Sequence, residues 1–333
     1  MKKVLSLILA LAMVFALVAC GEKQPSNDGN TDGDKPTRGN VIMTFGTADT
    51  GGSMYPAGAA VSQVWTNNVQ GVKCNTQTST GSFQNCQDVS TGEVDVAVAT
   101  SDVVLNAYNG TGKFADIGKL DNLRVIGAVY TSVLSGVALK SSGLTYIHDL
   151  LGKRVAVGPA ASATENATLA AFAAMDITKD NTSLENLGLG DGADSVGDGI
   201  LDAAFGFAGL PIGGQLNLAA TKEIQVLDMT QEEIDKVLAG NAAYIQTKIP
   251  AGTYTGQDYE TKTFGVKCLV IVSADMDESL VYDMCKAMNE NSADLAAGNA
   301  ILNEMQDPSF LCTNMPIPLH DGATKYYTEQ GLL

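Results

Sequence analysis

The chain has 333 residues, 45% of them hydrophobic and 6% aromatic, and carries a formal net charge of −17. That length holds one large or two medium domains, and an acidic balance of this size repels nucleic acid and anionic lipid and excludes both as general partners. A small anionic ligand stays open, because backbone dipoles inside a cleft can outweigh the net charge locally.

Lys2 and Lys3 precede an apolar run from Val4 to Ala19 that is broken only by Ser6. A basic start, a short apolar stretch and small residues at its end give an export signal over residues 1–19. The run is shorter than the ~20 residues of a membrane-spanning helix. It ends at Leu17-Val18-Ala19-Cys20-Gly21, which resembles a bacterial lipobox, so Cys20 is the expected lipid-bearing first residue of the mature protein. The alternative is an ordinary signal in which Cys20 is incidental. On the first reading the protein is exported and anchored by lipid to the outer face of the cell membrane, or held in the periplasm.

Loss of Lys2 and Lys3 with the signal lowers the formal charge from −17 to −19. Residues 22–40 contain no aliphatic or aromatic side chain, cannot bury enough surface to offset their ordering entropy, and with Cys20 form an expected flexible tether over 20–40. Cys74, Cys86, Cys268, Cys285 and Cys312 follow. Five is odd, no C-x-x-C pair occurs, and the plain reading is of small buried hydrophobes.

Strand-like apolar runs occur at 41–47, 72–78, 94–99, 123–129, 133–140, 154–157, 200–205, 224–227 and 265–272. Helical spacing lies between several of them. Ala57, Ala60, Val61, Val64 and Trp65 share one helix face, and Ala163, Ala167, Ala170, Ala171 and Ala174 share another. Strands alternating with helices predict an α/β fold on mostly parallel sheets.

Four of the strand ends run into turns rich in Gly, Ser and Thr that open helices. They are 47–56, with Gly51-Gly52-Ser53 before Pro56; 79–85, with Gly81-Ser82 and Asn85; 100–102, with Ser101-Asp102; and 158–165, with Ser162 and Glu165 at capping-box spacing. Helix starts expose N–H groups and the positive end of a dipole. In an open α/β sheet they gather at the carboxyl ends of the strands, where ligands bind. As a set they could hold one or two carboxylates without Arg or Lys, although each alone is explained by an ordinary capped turn.

Taken in order, these motifs resemble the substrate receptor of a TAXI-type TRAP transporter. The resemblance rests on Phe45-Gly46-Thr47 with 51–56, on Thr80-Gly81-Ser82 with Asn85, on 92–97 leading to Ser101-Asp102, and on 106–110. It continues through 149–159, 199–205, 249–258, and 316–320 with Gly322-Ala323 and Tyr326-Tyr327. Ser162-Ala163-Thr164 departs from the family's Ser-Gly-Thr, and Gly206 and Gly213-Gly214 stand where larger residues are the rule.

The resemblance implies a two-lobed periplasmic-binding-protein fold of type II, with a hinge and an interlobe ligand cleft. Lobe 1 would comprise 41–131 and 273–333, and lobe 2 would comprise 132–272. It implies a small carboxylate or amino-acid ligand, glutamate-like or 2-oxoglutarate-like, delivered to TRAP permease subunits. On the first wall it places Thr47, Gly51, Gly52, Ser53, Tyr55, Gly81, Ser82, Asn85, Ser101 and Asp102. On the second it places Ser162, Thr164, Asn166 and Phe205, with Tyr55 and Phe205 packing on the ligand's carbon chain. Asp102, being acidic, is expected to orient an ammonium or cap its helix.

No enzyme chemistry is expected. His148 and His320 are the only two histidines, and neither lies beside a nucleophile elbow. H-E-x-x-H, Walker and complete G-x-G-x-x-G motifs are absent, so no cofactor is expected. Asp191, Asp194 and Asp198 depart from the EF-hand pattern and suit a helix ending at Asp198-Gly199, so no metal site is expected. Competing readings are a binding lipoprotein that presents its ligand to a sensor, and an exported hydrolase.

Overall fold

The computed structural model describes residues 39–333. The expected export signal and the expected lipid-bearing Cys20 lie outside the described residues, as does almost all of the expected tether. The α/β class expected from the sequence is the class found. The first run of elements is β1 Val41–Gly46, α1 Met54–Asn68, β2 Val72–Gln77, α2 Ser82–Thr91, β3 Val96–Thr100 and α3 Ser101–Asn109. A 17-residue strand follows, β4 Leu123–Leu139. Next come β5 Arg154–Ala156, α4 Ala163–Ala174, β6 Ser183–Glu185, α5 Leu189–Gly197 and β7 Ala203–Ala208. The chain continues through α6 Gly213–Thr221, β8 Ile224–Val226, α7 Gln231–Gly240, β9 Ile245–Ile249 and β10 Thr261–Ser273. It closes with α8 Glu278–Glu290, α9 Ser292–Gly298, α10 Pro308–Cys312 and α11 Asp321–Glu329.

The sheet order is β2-β1-β3-β10-β4-β7-β5-β6, with β8 added on β4 and β9 on β10. Two parallel units of the same design stand at its ends. In the order β2-β1-β3 the first strand is central, and the order β6-β5-β7 repeats that plan. Between them run β4 and β10, antiparallel to each other and to their neighbours. The amino-terminal part of β4 pairs with β10, and Val133–Ala138 pairs with β7. Likewise Cys268–Val272 of β10 pairs with β3, whereas Thr261–Gly265 pairs with β9. Two strands therefore carry the chain from one half to the other. They cross where Gly265–Cys268 faces Tyr130–Val133, and β10 shifts register just beyond.

At this crossing the backbones nearly touch. A methyl on Gly265 would lie 2.4 Å from the Ser132 carbonyl oxygen. Ser132 and Cys268 meet side chain to side chain at 3.6 Å, and Thr263 Oγ1 donates to the Leu134 carbonyl at 2.8 Å.

Strand alternation sorts the core. Val96 and Val98 of β3 pack with Val270 and Val272 of β10 on one face, against Phe45, Trp65 and Met284. Ala97 and Ala99 join Leu269 and Ile271 on the other face, in a cluster that extends to Phe172, Phe205 and Phe207. A strand buried on both faces is what the unbroken apolar run of β3 requires. Trp65 stacks on Phe45 with ring centres 5.3 Å apart, and its Nε1 donates to the Met284 carbonyl at 3.1 Å. The carboxy-terminal segment thus returns to the first half, where Leu319 also bridges to Val125.

The stretch at Asp191, Asp194 and Asp198 is α5 with its cap at Asp198, followed by Gly199 in a left-handed conformation. All five described cysteines are buried and unbridged. No helix among the described residues is long and apolar enough to cross a membrane.

Candidate functional site

The carboxyl ends of both parallel units point at one crevice. The turns and helix starts after β1, β2, β5 and β6, with the carboxyl end of β7, bring together Ser53, Gly81, Ser82, Pro159, Ser162, Thr164, Leu189 and Phe207 around a cavity of about 50 Å³. Ala48, Asp49, Gly52, Met54, Thr80, Tyr130, Ala163 and Ala208 complete its lining. The two halves meet closely there, since a methyl on Gly81 would lie 3.8 Å from Ser162 Cα.

Three hydroxyls define its chemistry. Ser82 Oγ accepts the Thr100 N–H at 3.1 Å, Ser162 Oγ accepts the Glu165 N–H at 3.1 Å, and Thr164 Oγ1 accepts the Phe207 N–H at 3.2 Å. Their residues are only 0%, 8% and 5% exposed. A hydroxyl that has accepted a backbone N–H keeps its own proton to give. A buried donor without an acceptor costs roughly 1–3 kcal/mol, so donors gathered on a cavity favour an acceptor inside it.

Helix starts add to this polarity. The first residues of α1, α2 and α4 all line the cavity, and first-turn N–H groups lack helical partners. Neither α1 nor α2 has a side-chain cap. Ser53, at the cap position of α1, instead donates across the crevice to the Gly209 carbonyl at 3.1 Å. At α4 the Ser162 half of the expected capping box forms. Glu165 turns away from it, accepting the Ala161 N–H at 2.8 Å and Asn186 Nδ2 at 3.0 Å, and pairing with the Lys113 ammonium. Burial works to raise the Glu165 carboxyl, but its hydrogen bonds prevail and hold it below the ordinary value.

Lys113 belongs to the first half and Glu165 to the second, so this pair ties the crevice shut. A second tie is buried. Asn166 Nδ2 donates to Asp102 Oδ2 at 2.7 Å, and the Tyr244 hydroxyl donates to the same oxygen at 3.1 Å. Burial raises the Asp102 carboxyl above its usual 3.8, although hydrogen bonds, those of Asn166 and Tyr244 among them, oppose the shift. Burial and the neighbouring Asp102 also push the Tyr244 phenol upward.

The predicted site residues therefore divide. Gly52, Ser53, Gly81, Ser82, Ser162 and Thr164 line the cavity. Gly51 is exposed at the rim, its N–H donated to Asp49 Oδ1 at 2.7 Å. Tyr55 is half-buried on α1 and off the cavity. Thr47 Oγ1 donates to the Gln77 carbonyl at 2.7 Å, and Asn85 Nδ2 donates to the carbonyls of Thr47 and Val98. Those two side chains knit β1 to β2 and β3 beneath the turns. Ser101 is buried at the start of α3, and Asp102 with Asn166 forms the tie behind the cavity. Phe205 does not face the crevice. Its ring packs edge-on against Phe172 and covers Gly136.

Asp49, Met54, Thr80, Tyr130, Leu189 and Phe207 also line the cavity and are not among the site residues expected from the sequence. Phe207 shares a strand face with Phe205 and sits one pleat nearer the carboxyl end, a signal that was available. Tyr130 comes from the crossing strand, which no helix-start pattern marks. The small residues at 206 and 214 answer to packing. A methyl on Gly206 would lie 2.7 Å from Ile212 Cδ1, and one on Gly214 2.7 Å from the Leu189 carbonyl oxygen.

Among solved structures, the chain is similar to an ancestral arginine-binding protein bound to arginine, at 12% identity over 81% of this chain and 99% of that one, with a TM-score of 0.49. It is also similar to the alkanesulfonate-binding protein SsuA from Xanthomonas axonopodis pv. citri bound to MOPS, at 14% identity over 87% and 84%, with a TM-score of 0.48. A third is the probable amino-acid ABC transporter extracellular-binding protein ytmK from Bacillus subtilis, at 14% identity over 80% and 98%, with a TM-score of 0.46. The model of the NMT1-like family matches residues 45–331, from the end of β1 past α11 and so across both halves, and the chain belongs to that family.

Proposed function

We propose that this protein is an extracytoplasmic solute receptor whose two lobes close on a small organic anion and deliver it to a membrane permease. The observation that carries the reading is the convergence, from both halves, of three buried hydroxyl donors and three helix starts on one cavity. Such a surface binds negative charge without a cationic side chain. Two crossing strands supply a place to hinge, and the ties at Ser53, Asp102 and Lys113 link the two halves across the crevice.

Family membership and the motif order favour a transport role over catalysis. The finer reading is of a TAXI-type receptor for a TRAP permease, exported and held at the membrane by lipid on Cys20. Lobe 1 then comprises 41–131 with 273–333, and lobe 2 comprises 132–272.

Isothermal titration of the purified protein against carboxylates and amino acids tests the proposal. Ser82→Ala and Ser162→Ala are each expected to weaken binding by about 1–2 kcal/mol. Heat changes absent across the panel, native extracts included, would refute the receptor reading. Unchanged affinity in both variants would refute the site.

A further inference from the structure

The cavity is small and its charge is one-sided. Its volume of about 50 Å³ accommodates roughly three to five water-sized groups, well under the ~300–1,000 Å³ of pockets that hold larger molecules. Side chains that enclose it are themselves packed. Tyr130 and Phe207 are buried, and Phe207 belongs to the cluster built on Phe172 and Phe264. Leu189 is buried as well, and its backbone is pressed by Gly214 of α6. Ala163 puts a methyl at the start of α4, just where the donors converge.

Among the lining residues Asp49 is the one charged side chain, and no Lys or Arg stands with it. Its carboxylate is oriented by the Gly51 N–H at 2.7 Å. Across the crevice, the Gly188 turn approaches so closely that a methyl there would lie 3.9 Å from Asp49 Oδ2. One end of the space thus offers hydroxyl and amide donors, and its rim is negative, with Asp49 on the lining and Asp191 Oδ2 3.5 Å from that same methyl position on Gly188.

Resting on the receptor reading, we infer that the ligand is a short zwitterionic α-amino acid of the glycine, alanine or serine size, and not a dicarboxylate. Its carboxylate meets the donors of Ser82, Ser162 and Thr164, and its ammonium faces Asp49. A second carboxylate would fall beside Asp49 with no Lys or Arg among the lining residues to offset it, and a five-carbon chain would reach beyond the cavity of about 50 Å³ toward its open side. Asp49→Asn keeps the oxygen that accepts the Gly51 N–H while removing the charge.

Titration calorimetry with glycine, alanine, serine, propionate, glutamate and 2-oxoglutarate separates the outcomes. Binding of a short amino acid at least tenfold tighter than glutamate and 2-oxoglutarate, weakened tenfold or more by Asp49→Asn, is expected. Glutamate or 2-oxoglutarate binding as tightly as alanine would overturn the size and charge argument and leave the receptor reading standing. Propionate matching alanine would overturn the ammonium assignment. Failure of every compound to bind would count against the receptor reading itself.

Discussion

At the scale of single residues, the site depends on how each hydroxyl is used. Ser82, Ser162 and Thr164 accept backbone N–H groups and so keep a proton each to donate at the cavity they line, whereas Ser53 is engaged in joining the halves. Gly81 lies between them at φ 116° and ψ −156°, a region nearly closed to side chains. Gly81→Ala is expected to cost about 1–3 kcal/mol in stability by urea unfolding and to weaken ligand binding, because the new methyl points at Ser162. Asp102 gives a pH dependence. Its folded-state carboxyl is raised, so the stability it contributes is complete below its ordinary value of 3.8 and is lost as pH rises through the raised value. The depressed Glu165 acts oppositely, contributing fully above 4.5 and losing its contribution on acidification below that. Stability is therefore expected to fall as pH rises through the raised Asp102 value, and Asp102→Asn to flatten that part of the profile, which urea unfolding at a series of pH values measures. Pattern and spacing made Ser82, Ser162 and Thr164 legible as a set, because helix starts after strands are visible in one dimension. Phe205 lies off the cavity while Phe207, on the same strand face and nearer the carboxyl end, lines it, because how far along a strand the crevice begins is not visible until the sheet is assembled.

At the scale of elements, the two βαβ units were legible because their apolar runs and helix faces follow simple periods. The crossing strands were not. Residues 123–129 and 133–140 read as two strands, since Thr131 and Ser132 interrupt the apolar run, yet β4 continues through them as a single strand. β6 is three residues long, and β9 reads Ile-Gln-Thr-Lys-Ile, largely exposed and held by pairing with β10. Neither carries a local signal of its own. The crossing leaves no room at Gly265, 2.4 Å from a main-chain oxygen once a methyl is added. Gly265→Ala is therefore expected to destabilise the protein by about 1–3 kcal/mol, read by chemical denaturation. A stability equal to the parent's would show that β10 can move away from β4 at no cost.

For the whole molecule, one compact unit holds all the described residues, and its two halves are joined by strands and closed by side-chain ties. The proposed membrane attachment belongs to the segment outside it. Cys20→Ala is expected to shift the protein from the membrane fraction to the soluble fraction of fractionated cells, and retention at the membrane would exclude lipid on Cys20 as the anchor. Amides and hydroxyls from both halves are proposed to hold one carboxylate group between them. Amide resonances followed by ¹⁵N-correlated NMR during ligand titration test this most directly. Ser82 and Phe83 of α2 and Ala163 and Thr164 of α4 are expected to shift together, with one saturation curve. Saturable binding that moves amides in only one of these helices, or in neither, would contradict the proposal.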